Sequence, residues 1–210
     1  MPQPPWDARL GRVLVSPLRE TRVHPNHITT AGLLVGLGAA ALFAGGETTA
    51  RWGAGVYLLA ATLDHADGEL ARLAGKTSAF GAVYDRIADL VVKLSLFTGM
   101  GMGLRHGALG NWAPFLGILG GASVVMIFAL RGEMARRQNI EVLGQPSWRG
   151  FEIEDILYVI APVTWCGLLA PFLVAAGIGA PVFTLWVARQ FRHSSRAPEL
   201  HVVRRRVTRT

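Results

Sequence analysis

Four aspartates lie in two short segments that are otherwise rich in apolar residues. Asp64 and Asp67 are three residues apart in the first segment. Asp85 and Asp89 are four residues apart in the second. Side chains at these spacings share one face of a helix, so each pair predicts a helical face with two carboxylates. Carboxylates crowded together in an apolar environment need cations to neutralise them, so the spacing predicts a site for divalent metal ions.

Every ligand atom that this site would offer is an oxygen. Oxygen-only sites favour Mg²⁺ or Mn²⁺, with Ca²⁺ as a possibility, over zinc. Two such ions about 4 Å apart form a clamp for displacement reactions at phosphorus. The sequence therefore predicts a two-metal site that acts on a phosphate ester, and its ligands are Asp64, Asp67, Asp85 and Asp89.

Small residues accompany the aspartates on the same helical faces. Gly68, Ala71 and Gly81 have almost no side chain, which would leave room for a phosphate-bearing ligand beside the backbone. Arg72 follows directly, and its guanidinium can pair with phosphate through two parallel hydrogen bonds. Two simpler interpretations stay open: the glycines can serve helix packing alone, and the aspartates can pair only with nearby basic side chains.

The composition of the whole chain is that of a membrane protein. Of its 210 residues, 51% are hydrophobic and 25 are glycine, and its mean hydropathy is +0.35. A single cysteine, Cys166, excludes an internal disulfide framework. The net charge of +7 could indicate a nucleic-acid partner. We expect none, because the basic residues flank apolar stretches, where they would face anionic membrane lipids.

Apolar stretches long enough to cross a bilayer predict an all-α, polytopic membrane protein. We expect about six transmembrane helices in one catalytic domain, residues 25–193, followed by a basic tail, residues 194–210. Residues 1–24 are interpreted as an amphipathic surface helix, with a frayed basic tail as the alternative. Prolines and glycines make the last two spans hard to separate. The predicted spans are residues 28–44, 52–73, 81–104, 112–130, 153–175 and 181–191.

The short turn between spans 2 and 3, residues 74–78, would make these two spans antiparallel neighbours whose acidic faces meet. The topology follows from the distribution of arginine and lysine. With six spans, both termini and Lys76 lie on one side, whereas the opposite loops contain only Arg51 and Arg105. Because basic loops stay in the cytoplasm, we expect both termini and the aspartates at the cytoplasmic face of the cell or inner membrane.

Residues 64–89 follow the pattern D-x2-D-G-x2-A-R-x8-G-x3-D-x3-D. At every fixed position this pattern resembles the signature of the CDP-alcohol phosphotransferases, also called CDP-alcohol phosphatidyltransferases. The string PNHIT at residues 25–29 is similar to a stretch that opens the first span in that family. The resemblance implies an integral membrane enzyme that transfers a phosphoryl-alcohol group from a CDP-alcohol to a second alcohol and releases CMP.

The same resemblance implies a role for each matched residue. Asp64, Asp67 and Asp85 match metal ligands for Mg²⁺ or Mn²⁺. Asp89 matches the general base that accepts the proton of the acceptor hydroxyl, and it can also contact the second metal. The cytidine diphosphate would be held by Gly68, Arg72 and Ser78, beside the small residues Ala71 and Gly81, with Asn26 and Thr29 as further candidates. The resemblance also suggests a homodimer.

The length of the chain favours the shorter enzymes of that family, which transfer a phosphatidyl group from CDP-diacylglycerol to a small polar alcohol in phospholipid biosynthesis. The alternative is an aminoalcohol phosphotransferase that uses soluble CDP-choline or CDP-ethanolamine with diacylglycerol. A phosphorylated acceptor would need a basic pocket near the metal site. Candidates at the ends of spans 4 and 6, which also satisfy the positive-inside rule, are Arg131, Arg136, Arg137 and Arg189.

Two other classes of function fit parts of the pattern. Intramembrane carboxylates also occur in transporters for divalent cations, but these need acids near the bilayer midplane. Here the acids lie towards one end of their spans, beside Arg72 and Arg86, which would repel a permeating cation. A non-catalytic scaffold would be expected to have lost some of the aspartates, and all four are present.

Overall fold

The computed structural model describes residues 15–18, 20–21, 23–137 and 157–196. Within these residues all regular structure is helical, which confirms the predicted all-α class. A 3-10 turn at Ser16–Leu18 comes first; most of the predicted surface helix at residues 1–24 and most of the predicted basic tail lie outside the described residues. The helices are α1 (Pro25–Ala44), α2 (Glu47–Leu73), α3 (Ala79–Gly103), α4 (Trp112–Arg137), α5 (Ile160–Trp165) and α6 (Leu169–Arg196).

Local chemistry explains where the first helices begin and end. His24 caps α1 because its ring accepts a hydrogen bond from the backbone N–H of Asn26, and proline occupies the first helical position. The turn before α2 uses Gly46 at φ 101°, and the turn after it uses Gly75 at φ 63°, angles that other residues rarely adopt. Ser78 caps α3 through its hydroxyl.

Three helices in the described part of the chain are long and apolar enough to cross a membrane: α1, α4 over Trp112–Met134 and α6 over Leu169–Arg192. The 20 residues of α1 would extend about 30 Å, which matches the hydrocarbon core of a bilayer. Helices α2 and α3 have 27 and 25 residues but include the charged motif. The structure therefore supports an integral membrane protein, whereas the full count of six spans stays a prediction.

The predicted boundary between spans 5 and 6 is wrong. We expected an interruption between residues 175 and 181, but α6 is continuous from Leu169 to Arg196 with Pro181 inside it. Membrane helices tolerate proline because other groups satisfy the backbone that it leaves unbonded. The chain turns earlier instead, just after α5, where Gly167 has a φ of 72°. The predicted start of span 5 at Ile153 lies outside the described residues.

Helix α1 packs extensively against both α2 and α3, whereas α2 and α3 contact each other at few positions. The expectation that α2 and α3 are direct neighbours is therefore wrong for most of their length. Helix α4 packs against α3 on one side and α6 on the other. The largest fully buried side chains include Phe43 of α1 and Phe97 of α3, which belong to one hydrophobic core cluster. A helix from outside the motif thus holds the two motif helices together.

Glycines allow these helices to approach closely. A Cβ added to Gly99 of α3 would collide with the backbone carbonyl oxygen of Ala40 in α1. A Cβ added to Gly117 of α4 would lie 2.5 Å from the carbonyl oxygen of Phe97. Small residues at helix crossings are the usual means of close packing in membranes. These contacts fix α1, α3 and α4 relative to one another and so fix the side chains described below.

Candidate functional site

Asp67 of α2 is held in place by α1. Asp67 is only 3% exposed, and the hydroxyl of Thr29 donates a hydrogen bond to Oδ2 of its carboxylate. Thr29 is itself buried, and its Oγ1 is also 3.3 Å from the carbonyl oxygen of Pro25. The sequence suggested Thr29 as a nucleotide contact. The structure places it beside a predicted metal ligand, which it orients.

Asp89 of α3 forms an ion pair with Lys93, one turn further along the same helix. The ammonium of Lys93 donates to Oδ1 of Asp89. The exposed fractions of the two side chains are 9% for Lys93 and 27% for Asp89. The same ammonium lies 4.5 Å from the centre of the Phe128 ring of α4. This pairing is one of those that the sequence left open for the aspartates.

The four aspartates form one electrostatic group although α1 packs against both helices that carry them. Asp64 interacts with Asp85 and Asp89 across the gap between α2 and α3. Asp67 interacts with Asp64 on its own helix, and Asp85 interacts with Asp67 and Asp89. Like charges at short range repel, and burial strengthens the repulsion. The four carboxylates therefore lie within electrostatic range of one another.

Within the described ranges, no three side chains of the histidine, cysteine, aspartate or glutamate type are close enough to form a complete metal-binding group. The donor set nevertheless fits a hard divalent cation, because it consists of carboxylates whose mutual repulsion a cation would relieve. The contacts of Thr29 with Asp67 and of Lys93 with Asp89 also show that two of these carboxylates have different partners. The residues that would hold Mg²⁺ or Mn²⁺ are Asp64, Asp67, Asp85 and Asp89, as the sequence predicts.

Three residues that the sequence assigned to the nucleotide meet at the N-terminus of α3. The Ser78 hydroxyl oxygen accepts a hydrogen bond of 2.9 Å from the backbone N–H of Gly81. A Cβ on Gly81 would lie 2.9 Å from this oxygen and 3.1 Å from the amide oxygen of Asn26. The space beside Gly81 is therefore lined by polar atoms from two separate parts of the chain. The N-terminus of a helix favours anions such as phosphate.

Arg72 lies over Gly68 near the end of α2. A Cβ on Gly68 would be 3.7 Å from Nη2 of this arginine. The same Nη2 is 2.8 Å from Oε1 of Glu69, whose side chain is 4% exposed, whereas the arginine side chain is 64% exposed. The sequence suggested that Gly68 makes room for a ligand; in the structure the guanidinium lies beside it, at ordinary contact distance for an added Cβ, and the ligand role stays a prediction. Ala71, beside Arg72, is partly buried.

The four arginines suggested for the acceptor differ in their surroundings. Nη1 of Arg131 is buried and has no hydrogen-bond partner among the described residues. Arg136 pairs with Glu133, and its side chain is 62% exposed. Arg189 is exposed, and the side chain of Arg137 lies outside the described residues. Only Arg131 therefore combines partial burial with an unsatisfied donor in the part of the molecule that the structure describes.

The position of Arg131 follows from helix geometry. It lies three residues after Phe128 and shares its face of α4. Phe128 contacts Lys93 of α3, and α4 runs antiparallel to α3 because a short connection joins them. The path from Phe128 to Arg131 along α4 therefore runs in the same direction as the path from Lys93 back towards Asp89 along α3.

A pocket that is partly open to the surroundings lies beside Asp64 and Asp89. Its lining includes three residues that the sequence analysis did not use, namely Tyr57, His65 and Tyr158. Tyr57 is two turns before Asp64 on one face of α2, so its helical spacing was a usable signal. Tyr158 lies far away in the sequence, and its hydroxyl is 3.4 Å from Nδ1 of His65. No local pattern could have found that contact.

The segment before α1 covers the same end of α2. Val15 is 2% exposed and packs in a cluster with Ile28, Ala66 and Leu70. Lys76, in the turn after α2, donates hydrogen bonds of 3.0 Å to two backbone carbonyl oxygens, one at Thr21 and one at Val23. These contacts join the chain before α1 to the turn between the two motif helices.

Comparison with known proteins supports the family suggested by the motif. The family model described as CDP-alcohol phosphatidyltransferase matches residues 22–188, which is most of the chain. No curated protein matches the chain. The matched family consists of transferases of substituted phosphate groups, and it implies a CDP-alcohol substrate and an alcohol acceptor in phospholipid synthesis. The predicted family and enzyme class are confirmed, because the chain belongs to the CDP-alcohol phosphatidyltransferase family.

Proposed function

We propose that the protein transfers a phosphatidyl group from CDP-diacylglycerol to the hydroxyl of a small polar alcohol and releases CMP. The observation that carries this proposal is the grouping of the four motif aspartates, in mutual electrostatic contact, beside the capped N-terminus of α3. Carboxylates and an anion-binding helix terminus suit a substrate that contains a metal-bound pyrophosphate. We further propose that this site faces the cytoplasm, as the distribution of basic residues predicts.

The metal ligands in this proposal are Asp64, Asp67 and Asp85. When bound, Mg²⁺ or Mn²⁺ would neutralise the pyrophosphate and make CMP a better leaving group. Thr29 fixes the carboxylate of Asp67 in one orientation through its hydroxyl. Hydrogen-bond partners of this kind orient metal ligands, and their loss lowers metal affinity or activity.

The cytidine diphosphate would lie against the N-terminus of α3. The hydroxyl of Ser78 and the amide of Asn26 border the space beside Gly81. A Cβ added at Gly81 would lie 2.9 Å from the hydroxyl oxygen of Ser78 and 3.1 Å from the amide oxygen of Asn26. The exposed guanidinium of Arg72 would approach from the end of α2 and pair with a phosphate. The absence of a side chain at Gly81 then serves the close approach of the nucleotide.

Asp89 would act as the general base. It would accept the proton of the acceptor hydroxyl while the hydroxyl oxygen attacks the lipid-bearing phosphorus of the donor. The new bond joins that oxygen to phosphorus, and the bond between the same phosphorus and the oxygen of CMP breaks. CMP leaves with the electron pair of that bond, and the products are a phosphatidyl alcohol and CMP.

The pocket supports a lipid-linked donor. It extends from Asp64 and Asp89 between apolar side chains of three elements, Leu33 of α1, Val92 of α3 and Leu157 before α5. A soluble donor such as CDP-choline would place a cationic headgroup there, whereas a diacylglycerol unit would place its glycerol and esters there. Apolar surroundings favour the uncharged glycerol and ester groups over the cationic headgroup.

Arg131 supports a phosphorylated acceptor. A buried donor without a partner costs about 1–3 kcal/mol, and the phosphate of an incoming acceptor would provide that partner. Arg131 shares a face of α4 with Phe128, which contacts the Lys93 partner of Asp89, so we expect an acceptor held by Arg131 to present its hydroxyl on the Asp89 side of the site. Glycerol 3-phosphate and inositol 1-phosphate fit this arrangement better than the uncharged inositol or the zwitterionic serine.

The test is release of CMP by the purified protein in mixed micelles that contain CDP-diacylglycerol and Mg²⁺ or Mn²⁺. Glycerol 3-phosphate, inositol 1-phosphate, inositol and serine would be offered separately, with Asp89→Asn as the inactive control. We expect release with a phosphorylated acceptor alone. Release only with CDP-choline and diacylglycerol would refute the donor, and no release with any pair would refute the proposed reaction.

A further inference from the structure

Glu69 is a buried carboxylate inside the motif, at a position that the family pattern leaves open. The residue is 3% exposed. Its neighbours on α2, Ala66 and Leu70, belong to the buried cluster that includes Val15 of the segment before α1. Burial of a charged group is costly unless a partner compensates the charge. A buried glutamate at this place therefore indicates a specific cationic partner.

One such partner is Arg72, three residues further along the same helix. Its Nη2 donates a hydrogen bond of 2.8 Å to Oε1 of Glu69. The exposed fractions of the two side chains are 64% for Arg72 and 4% for Glu69. Long side chains in helices point towards the N-terminus, and the guanidinium accordingly lies beside Gly68, with three of its atoms within 4.0 Å of a Cβ built there. A buried carboxylate thus holds the head of an arginine that is otherwise largely exposed.

A second glutamate–arginine pair at the same spacing shows what burial adds. On α4, Nη2 of Arg136 donates to Glu133, and the arginine side chain is 62% exposed, nearly as much as that of Arg72. Glu133, however, is 31% exposed, so water competes for both partners, and surface pairs of this kind are weak. Glu69 has almost no access to water. Its charge-assisted hydrogen bond to Arg72 is therefore the stronger of the two.

The pair has donors left for a ligand. A guanidinium has five N–H donors, and the bond to Glu69 uses one of them. In the described part of the site, the main charged neighbours of the predicted metal ligands do not include Glu69 or Arg72. An arginine that is already held in one orientation loses less conformational entropy when an anion binds than one that moves freely.

We propose that Glu69 is a positioning residue that holds the guanidinium of Arg72 ready for a phosphate of the nucleotide. This inference rests on the proposed function, because it takes Arg72 as a contact of the cytidine diphosphate. A nucleoside diphosphate then meets a guanidinium whose orientation is set before the ligand arrives.

The experiment measures binding of CDP to the purified full-length protein in detergent micelles with Mg²⁺, by calorimetry and without turnover. Glu69→Met removes the carboxylate and keeps an unbranched side chain of similar size. We expect Kd for CDP to rise about 3- to 10-fold, the factor that corresponds to ordering one long side chain on binding. KM for CDP-diacylglycerol should rise by a similar factor while kcat changes little. Glu69→Gln keeps an acceptor oxygen for Arg72 and should lose less affinity.

A double-mutant cycle with Arg72→Gln separates positioning from a structural role. If Glu69 acts through the guanidinium, Glu69→Met should weaken CDP binding when Arg72 is present and have no further effect beside Arg72→Gln. Glu133→Met is the matched control, because it breaks the corresponding pair on α4 and should leave Kd for CDP unchanged. The unfolding temperature would be recorded for each variant. If Glu69→Met does not fold, the same cycle with Glu69→Gln decides.

Three results would overturn the inference. An unchanged or lower Kd for CDP in Glu69→Met would show that Glu69 gives Arg72 no help or competes with the nucleotide for it. An equal loss of affinity with and without Arg72 would show that Glu69 only supports the fold. A wild-type protein that does not bind CDP, or an Arg72→Gln variant that binds it normally, would remove the nucleotide contact on which the inference rests.

Failure of the proposed reaction is distinguishable from these results. A wild-type protein that binds CDP but releases no CMP with any donor and acceptor would refute the proposed reaction. The cycle of CDP affinities needs no turnover, so it would still decide the role of Glu69.

Discussion

The hydrogen bond from Thr29 to Asp67 gives the sharpest test of how α1 contributes to the site. Thr29→Val replaces a hydroxyl by a methyl group of similar size, so the packing of α1 on α2 should survive. The buried carboxylate loses a donor, and a hydrogen bond to a charged group is worth about 1.5–3 kcal/mol. At about 1.4 kcal/mol for each tenfold change, the bond corresponds to a factor of roughly 10 to 100 if it serves only to hold the metal-binding orientation.

The assay is the Mn²⁺ concentration that gives half-maximal CMP release, together with direct Mn²⁺ binding to the protein without substrate. Both should weaken about 10- to 100-fold in Thr29→Val, while the rate at saturating Mn²⁺ stays near that of wild type. Thr98→Val is the matched control, because the hydroxyl of Thr98 bonds the backbone carbonyl of Leu94 within its own helix. Equal Mn²⁺ affinity in the two variants would refute the argument that α1 orients a metal ligand.

Three further predictions follow from the same contacts. Gly99→Ala should lower the unfolding temperature by about 2–12 °C, because overpacking against a backbone carbonyl costs about 1–3 kcal/mol and each kcal/mol shifts the unfolding temperature of a chain of this length by about 2–4 °C. Gly38→Ala, with nothing within 4 Å of the added Cβ, should leave it unchanged. Arg131→Gln should raise KM for a phosphorylated acceptor about tenfold or more and leave KM for the donor unchanged, and Arg136→Gln should change neither; equal effects of the two would contradict the acceptor site. Removal of divalent ions with EDTA should abolish CMP release. Added Mg²⁺ or Mn²⁺ should restore release by the wild-type protein but not by the Asp89→Asn variant. Activity that persists in EDTA would exclude a metal-dependent reaction.

The sequence contained strong local signals for the motif and its helices. The spacing of Asp64 and Asp67, and of Asp85 and Asp89, follows the period of a helix, so each pair had to share a face. Hydropathy and length predicted spans at residues 52–73 and 81–104, and the observed helices end within one residue of these spans and begin two to five residues earlier. The residues before and after the motif matched the family over most of the chain.

The same local reasoning failed where the outcome depended on a neighbour. Pro181 favours a helix end in water, but α6 passes through it and the chain turns at Gly167 instead. The sequence also treated the two motif helices as direct neighbours, although α1 packs against both. The neighbours of each helix depend on which small residues meet at helix crossings. A single sequence shows where the small residues are but not which of them contact one another.

The sequence by itself determined the chemistry that this protein has available: carboxylates at helical spacing, small residues beside them, and apolar helices that place them in a membrane. These properties depend on residues close together along the chain, and a helix repeats at a fixed period. The tertiary structure alone decided how the carboxylates differ. Thr29 reaches Asp67 from another helix, and the Phe128 ring of α4 holds Lys93 against Asp89. Contacts between residues far apart in the sequence depend on how whole helices pack, and here that packing gives the carboxylates different partners.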